Sequence, residues 1–262
     1  MNELLDQLID MSRALGDPAH DWVILGEGNS SARADGESFW VKGSGTMLAR
    51  ADRATFVRVA TPPILAALDQ GPLSDDGVLR LLKSATREGD KTPSIETFLH
   101  ALCLQLEGVQ FVGHTHPTAA VALLSGQQSR ELFAGSLFPD QIVLLGPACV
   151  YVPYTDPGWP LALAVRERIR RFLDDEQRVP RVILMENHGV IALGKTGQEV
   201  VNITQMLVKV CRVLAGTLAA GGPRFLSPSH VQRIEKRPDE HRRRADLREG
   251  GSGSLESTGA SP

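Results

Sequence analysis

Between Trp22 and Lys42 the chain reverses direction too quickly for a helix to fit between its strands. Trp22-Val23-Ile24-Leu25, Ser30–Ala34 and Ser38–Lys42 each read as a strand, and only short glycine-containing turns separate them. Parallel neighbours need a crossover of roughly a dozen residues or more, so links of hairpin length impose antiparallel pairing. Further along, Gln141–Leu145 with Cys149–Val152 and Arg181–Asn187 with Val190–Leu193 read as strands joined the same way, and Val109–His116 reads as one more. A purely parallel, doubly wound sheet is thereby excluded. The expected fold is a single α/β domain with a mixed, largely antiparallel central sheet and helices on both faces.

The helices show in apolar periodicity. Leu4, Leu5, Leu8, Ile9, Met11 and Leu15 form a stripe over residues 3–15, and residues 61–92 read as helix and loop. Thr92-Pro93-Ser94 has the form of a helix start, with Thr92 as N-cap and Pro93 at the first helical position, continued by Ile95, Leu99, Leu102 and Leu106. Further helices are expected from Pro117 to about Ser125, over Pro160–Leu173 and over Thr196–Ala220. The domain is expected to span residues 1–227. Residues 228–262 turn densely charged and then Gly/Ser-rich, the composition of a poorly ordered tail.

A formal net charge of −3 over 262 residues provides no general basic field, which argues against nucleic acid as a partner. Cys103, Cys149 and Cys211 are odd in number and far apart, as in a reducing compartment. The first residues are acidic where a secretion signal would be basic, and no stretch reads as a membrane span. The expectation is a cytoplasmic protein with no membrane partner.

Three histidines carry the chemistry. His114 and His116 stand two apart at the end of a strand, so both rings project to one face. His188 follows another strand and precedes Gly189. Three neutral imidazoles suffice for a catalytic divalent metal with coordination positions left open. They favour zinc without excluding manganese or another ion. His20, His100, His230 and His241 lack such a setting and read as surface or hydrogen-bonded core residues.

Two glycine-rich runs stand nearby in sequence. Gly26-Glu27-Gly28-Asn29-Ser30-Ser31 fails as a dinucleotide loop because a strand rather than a helix follows it. As an anion cradle it has backbone N–H groups with Asn29 and Ser30 beside them, and Lys42-Gly43-Ser44-Gly45-Thr46 repeats that chemistry with a cation. A plain turn is the alternative for each. Glu96, in Pro93-Ser94-Ile95-Glu96, serves as a dipole-placed carboxylate or, if the helix start faces the metal, as a general acid/base.

Gly28-Asn29-Ser30-Ser31, Lys42-Gly43-Ser44-Gly45, Pro93-Ser94-Ile95-Glu96, Gly113-His114-Thr115-His116-Pro117 and Glu186-Asn187-His188-Gly189 occur in the order and approximate spacing of the class II aldolase/adducin family. The chain resembles that family over residues 3–220, most closely the aldolase part of rhamnulose-phosphate aldolase/dehydrogenase proteins. The resemblance implies a zinc-dependent lyase cleaving a phosphorylated ketose through a metal-stabilised enediolate. It implies His114, His116 and His188 as ligands, Glu96 as acid/base, and Asn29, Ser44, Gly45 and Ser94 as holders of the substrate phosphate. A cyclic homotetramer with active sites at subunit contacts is also implied. Epimerase, decarboxylase or dehydratase chemistry on the same scaffold, a non-catalytic adducin-like assembly module and an unrelated metal-dependent hydrolase remain as alternatives. Two departures bear on the substrate. Fuculose-phosphate aldolases have Ser-Ser-Glu where Ser94-Ile95-Glu96 stands, and the family's active-site tyrosine falls at Phe138-Pro139-Asp140, with Asp140 as a substitute proton carrier.

Overall fold

The computed structural model describes residues 2–239. Eight strands, β1 (Asn29–Arg33), β2 (Ser38–Lys42), β3 (Phe56–Ala60), β4 (Thr86–Glu88), β5 (Phe111–Thr115), β6 (Val150–Val152), β7 (Val182–Met185) and β8 (Gly189–Gly194), form one open sheet. The order is β4-β3-β2-β1-β5-β8-β7-β6. Each neighbouring pair is antiparallel except β6 with β7. The expected mixed, largely antiparallel sheet is what forms.

Helices cover both faces: α1 (Asn2–Leu15), α2 (Thr61–Ala67), α3 (Asp75–Ala85), α4 (Thr97–Cys103), α5 (Thr118–Leu124), α6 (Ser129–Leu132), α7 (Pro139–Leu145), α8 (Trp159–Glu176), α9 (Gly197–Ala219) and α10 (Pro228–Glu235). Alternation along the strands divides their side chains between two cores. In β7, Ile183 and Met185 join Phe98, Leu99 and Val165 of α4 and α8 on one face. Val182 and Leu184 join Leu8 and Leu15 of α1 and Leu207 of α9 on the other. β8 repeats the pattern, with Ile191 and Leu193 on the first face and Val190 and Ala192 on the second. Each large apolar side chain so buried contributes about 1.5–3 kcal/mol. The strands that carry the histidines are therefore clamped from both sides.

Several expected elements differ. Trp22–Leu25 is a loop, because β1 already has β2 on one edge and β5 on the other, leaving a further strand no place to pair there. Trp22 and Val23 are buried, whereas Ile24 and Leu25 are exposed. Gln141–Leu145 is not a strand but belongs to α7, which opens with Pro139 at its start. Short apolar runs fit either structure, and Pro139 is the signal that decides this one. The helix expected from Thr92 begins only at Thr97. Residues 92–96 are instead held to the loop after β2, through Ser44 N–H to Thr92 O at 2.8 Å and a bridge from Gly43 to Pro93. Strands β3 and β4 have no counterpart among the elements expected from the sequence.

Gly197–Ala219 is long and apolar enough, by length and composition, to cross a membrane. Here it packs against α1, α5, α7 and the sheet as a core helix. The boundary expected at residue 227 is not a break in packing, since Ile234 of α10 joins Ile142 and Val143 of α7 in a small third cluster. The remainder of the charged and Gly/Ser-rich tail, from residue 240, lies outside the described residues.

Candidate metal centre

β5 and β8 lie side by side, with His114 opposite Ile191 and Thr115 opposite Val190. His114 is the penultimate residue of β5, and His116 follows the strand with its N–H donating to Trp22 O at 2.9 Å. His188 sits in the turn joining β7 to β8, where Met185 pairs with Gly189. That turn is anchored residue by residue: Glu186 N–H to Val152 O at 3.0 Å, Asn187 N–H to Leu124 O at 3.2 Å and His188 N–H to Met185 O at 3.2 Å. Asn187 adopts a left-handed conformation (φ 52), which asparagine tolerates better than most residues.

Glycine follows His188 for a steric reason. A Cβ at Gly189 would stand 2.6 Å from both His116 Cδ2 and Thr115 O. Only glycine lets the hairpin bring His188 against the other two rings. Gly28 solves the same problem from the other side: its φ is +71, and a Cβ there would stand only 2.7 Å from His114 O.

The rings meet edge to face, with centroids 4.7–5.1 Å apart. One nitrogen from each histidine lies within 4.8 Å of those of the other two. His114 Nδ1 faces Val190 O at 3.0 Å, so that nitrogen carries the proton and Nε2 offers its lone pair. His114 Nε2 and His116 Nε2 are 3.0 Å apart. Two nitrogens each about 2.0–2.1 Å from one ion stand roughly 3 Å from each other, so the donor set fits a divalent cation.

Glu96, the residue just before α4, reaches the same point: its Oε1 is 3.2 Å from His188 Nε2 and 3.4 Å from His114 Nε2. Its other oxygen accepts a hydrogen bond from Asn29 Nδ2. Burial opposes ionisation of Glu96, but the His114 charge and the hydrogen bonds of His114 and His188 outweigh it and hold the carboxyl well below its usual range. Burial likewise disfavours the His114 cation, yet the Glu96 charge and hydrogen bond, with the Val190 carbonyl, raise its pKa. His116 is pushed down to about 3 by burial and by the charges of His114 and His188. The cluster sets an ionised carboxylate beside a neutral His116 imidazole.

The remaining candidates are distributed as follows. Asn29 is buried, and its Nδ2 donates to Glu96 Oε2. Lys42 is buried, with its pKa lowered by that burial against the opposing pull of Glu96, and its Nζ donates to Gly26 O at 3.0 Å. Lys42 thus ties the two glycine loops together. Ser44 and Gly45 are exposed on the loop that binds residues 92–93, and Ser94 Oγ accepts the Glu96 N–H at 3.3 Å. Ser44, Gly45 and Ser94 therefore lie in adjoining loops beside Glu96.

Neighbours that sequence reasoning did not single out line a cavity of about 520 Å³ next to His116 and His188: the carboxylates Asp21 and Glu27, with Val23 and Ile24. Asp140 lies in the first turn of α7, Tyr151 hydrogen-bonds Ser129, and Tyr154 is exposed and bonds Asp156. His100 is a buried core residue bonded to Ser31 Oγ at 2.7 Å. Burial and the His114 charge push its pKa down to about 3, Glu96 opposing.

Residues 6–215 match the family described as Class II Aldolase and Adducin N-terminal domain. No curated protein matches the chain. Among solved structures, the N-terminal class II aldolase domain of a conserved protein from Thermoplasma acidophilum is 26% identical, with 80% of this chain and 92% of that one covered and a TM-score of 0.63. YgbL from Klebsiella pneumoniae, named as an aldolase/epimerase/decarboxylase, is 20% identical over 89% of this chain and 98% of its own, with a TM-score of 0.67. L-fuculose-1-phosphate aldolase from Thermus thermophilus is 20% identical over 86% of this chain and 100% of its own, at 0.59. The last two are likenesses of fold.

Proposed function

Because the chain belongs to the class II aldolase and adducin N-terminal domain family, we propose that it is a metal-dependent lyase that cleaves a phosphorylated ketose. The observation that carries this reading is the convergence of His114, His116 and His188 on one point that Glu96 Oε1 also reaches. A divalent ion held by the three histidines, which we assign as zinc, supplies Lewis acidity at the carbonyl end of the ketose.

The protein's own groups then divide the remaining work. Cleavage of the C3–C4 bond takes a proton from the C4 hydroxyl and returns one to C3. Glu96 is the carboxylate whose position, beside His114 and His188, suits it to carry the proton to and from C3. Asn29 fixes the Glu96 carboxylate in place. Ser44, Gly45 and Ser94 supply hydroxyl and backbone donors for the substrate phosphate from loops beside Glu96. We place the enzyme in carbohydrate metabolism in the cytoplasm, as a homo-oligomer, a tetramer by its resemblance, without nucleic-acid or membrane partners.

The test is incubation of the metal-loaded protein with a panel of phosphorylated ketoses. A lyase releases a triose fragment, whereas conserved mass indicates an epimerase, released carbon dioxide a decarboxylase and lost water a dehydratase. Glu96→Gln should lower turnover about 10²–10⁴-fold while bound metal is retained. Normal turnover by that variant would remove Glu96 from the proposed role.

A further inference from the structure

Gly26-Glu27-Gly28 belongs neither to the three-histidine ligand set nor to the serine loops, yet it directs a carboxylate at the cluster. Glu27 Oε2 stands 3.9 Å from His116 Nδ1. The side chain is held there: the same oxygen accepts the Ile24 N–H at 3.0 Å, and Glu27 N–H donates to Ile24 O at 3.0 Å. Buried Lys42 grips the loop through Gly26 O. Gly28 lets it close over His114 O. The loop works as a bracket whose tip is a carboxylate behind one imidazole.

The three imidazoles differ in what stands behind them. His114 Nδ1 has the Val190 carbonyl. His188 Nδ1 is buried without a hydrogen-bond partner among the described residues. His116 Nδ1 faces Glu27. A neutral imidazole keeps its proton on one nitrogen and can bind an ion only through the other, so an acceptor behind Nδ1 selects Nε2 as the ligand atom. A carboxylate there also strengthens the ring as a donor.

We infer that Glu27 is a positioning residue of the metal centre: it accepts the Nδ1 proton of His116 and so presents His116 Nε2 to the ion. This rests on the reading of the three histidines as metal ligands and not on which bond the enzyme breaks. At 3.9 Å the pair is longer than a hydrogen bond, and contacts of this kind tighten when a site is loaded.

The test uses the whole protein, stripped with a chelator and titrated with Co²⁺, whose visible absorption reports its ligand geometry. Glu27→Ala should weaken Co²⁺ binding about 10–100-fold and alter that absorption. Glu27→Gln, whose amide oxygen still accepts an N–H, should fall between the alanine variant and the parent. If Glu27 only braced the Ile24 turn, Glu27→Ala would lower the thermal midpoint of the stripped protein and leave the Co²⁺ spectrum unchanged. That result, or equal affinity in all three proteins, overturns the assignment. His114→Ala is the reference: Co²⁺ lost there but retained fully in Glu27→Ala removes Glu27 alone. A parent protein that takes up no Co²⁺ removes the metal centre itself.

Discussion

The two flanks of Glu96 are built by opposite means. On one side the histidines stand on strand ends and a hairpin whose main chain is bonded at nearly every residue, under cores on both faces of the sheet. On the other, Ser44 and Gly45 lie exposed on a loop, joined to residues 92–93 by few main-chain contacts. Side chains on a rigid scaffold keep their positions, while loops tolerate substitution. On the function proposed above, the histidine flank would set the kind of chemistry, and the serine flank is where a chain of this fold could change what it recognises without disturbing the sheet.

The sharpest break in that comparison is His114→Ala. Metal analysis should find the ion lost, and turnover of the responsive ketose should fall by roughly a thousandfold or more, because Lewis-acid stabilisation is worth several kcal/mol and about 1.4 kcal/mol is a factor of ten. A variant that kept both would show that the histidine flank is structural only. Gly189→Ala comes next, since its methyl group would press on His116 and the Thr115 carbonyl. We expect about 1–3 kcal/mol of destabilisation, read by denaturant unfolding, together with weakened metal uptake. Unchanged uptake would mean that the hairpin yields more than its bonding indicates. The mildest change should come from Ser44→Ala. Losing one hydrogen bond of about 0.5–1.5 kcal/mol raises KM a few-fold at constant kcat, and a fall in kcat instead would join the serine flank to the chemistry.

The same division governs how much is legible in the sequence. His-x-His on a strand, and a histidine followed by glycine after another strand, are local patterns with one geometric outcome, and the structure brings all three rings together. Glu96 is legible as a residue type near the site but not in its placement, because Thr92-Pro93 mimics a helix start while Ser44 N–H in fact captures Thr92 O. Asn29 and Lys42 read as anion donors from their glycine-rich runs, but the partners they hold here, Glu96 and Gly26 O, are 67 and 16 residues away in the chain and not legible from those runs. Such pairings depend on which strands become neighbours. Trp22–Leu25 departs from expectation for a related reason: its residues suit a strand, but both edges of β1 are taken. α7 escapes a periodicity argument because four apolar residues in a row carry no period.

The sheet ends at both edges in a strand of three residues, β4 on one side and β6 on the other. An edge that short offers a foreign strand few free N–H and C=O groups, and Arg87 and Glu88 add charge to the β4 edge. Copies of this chain thus have little means of joining by extending one another's sheets into fibres. Among the described residues, it is the helices and loops, where side chains rather than backbone decide the partner, that offer the larger surfaces for contact.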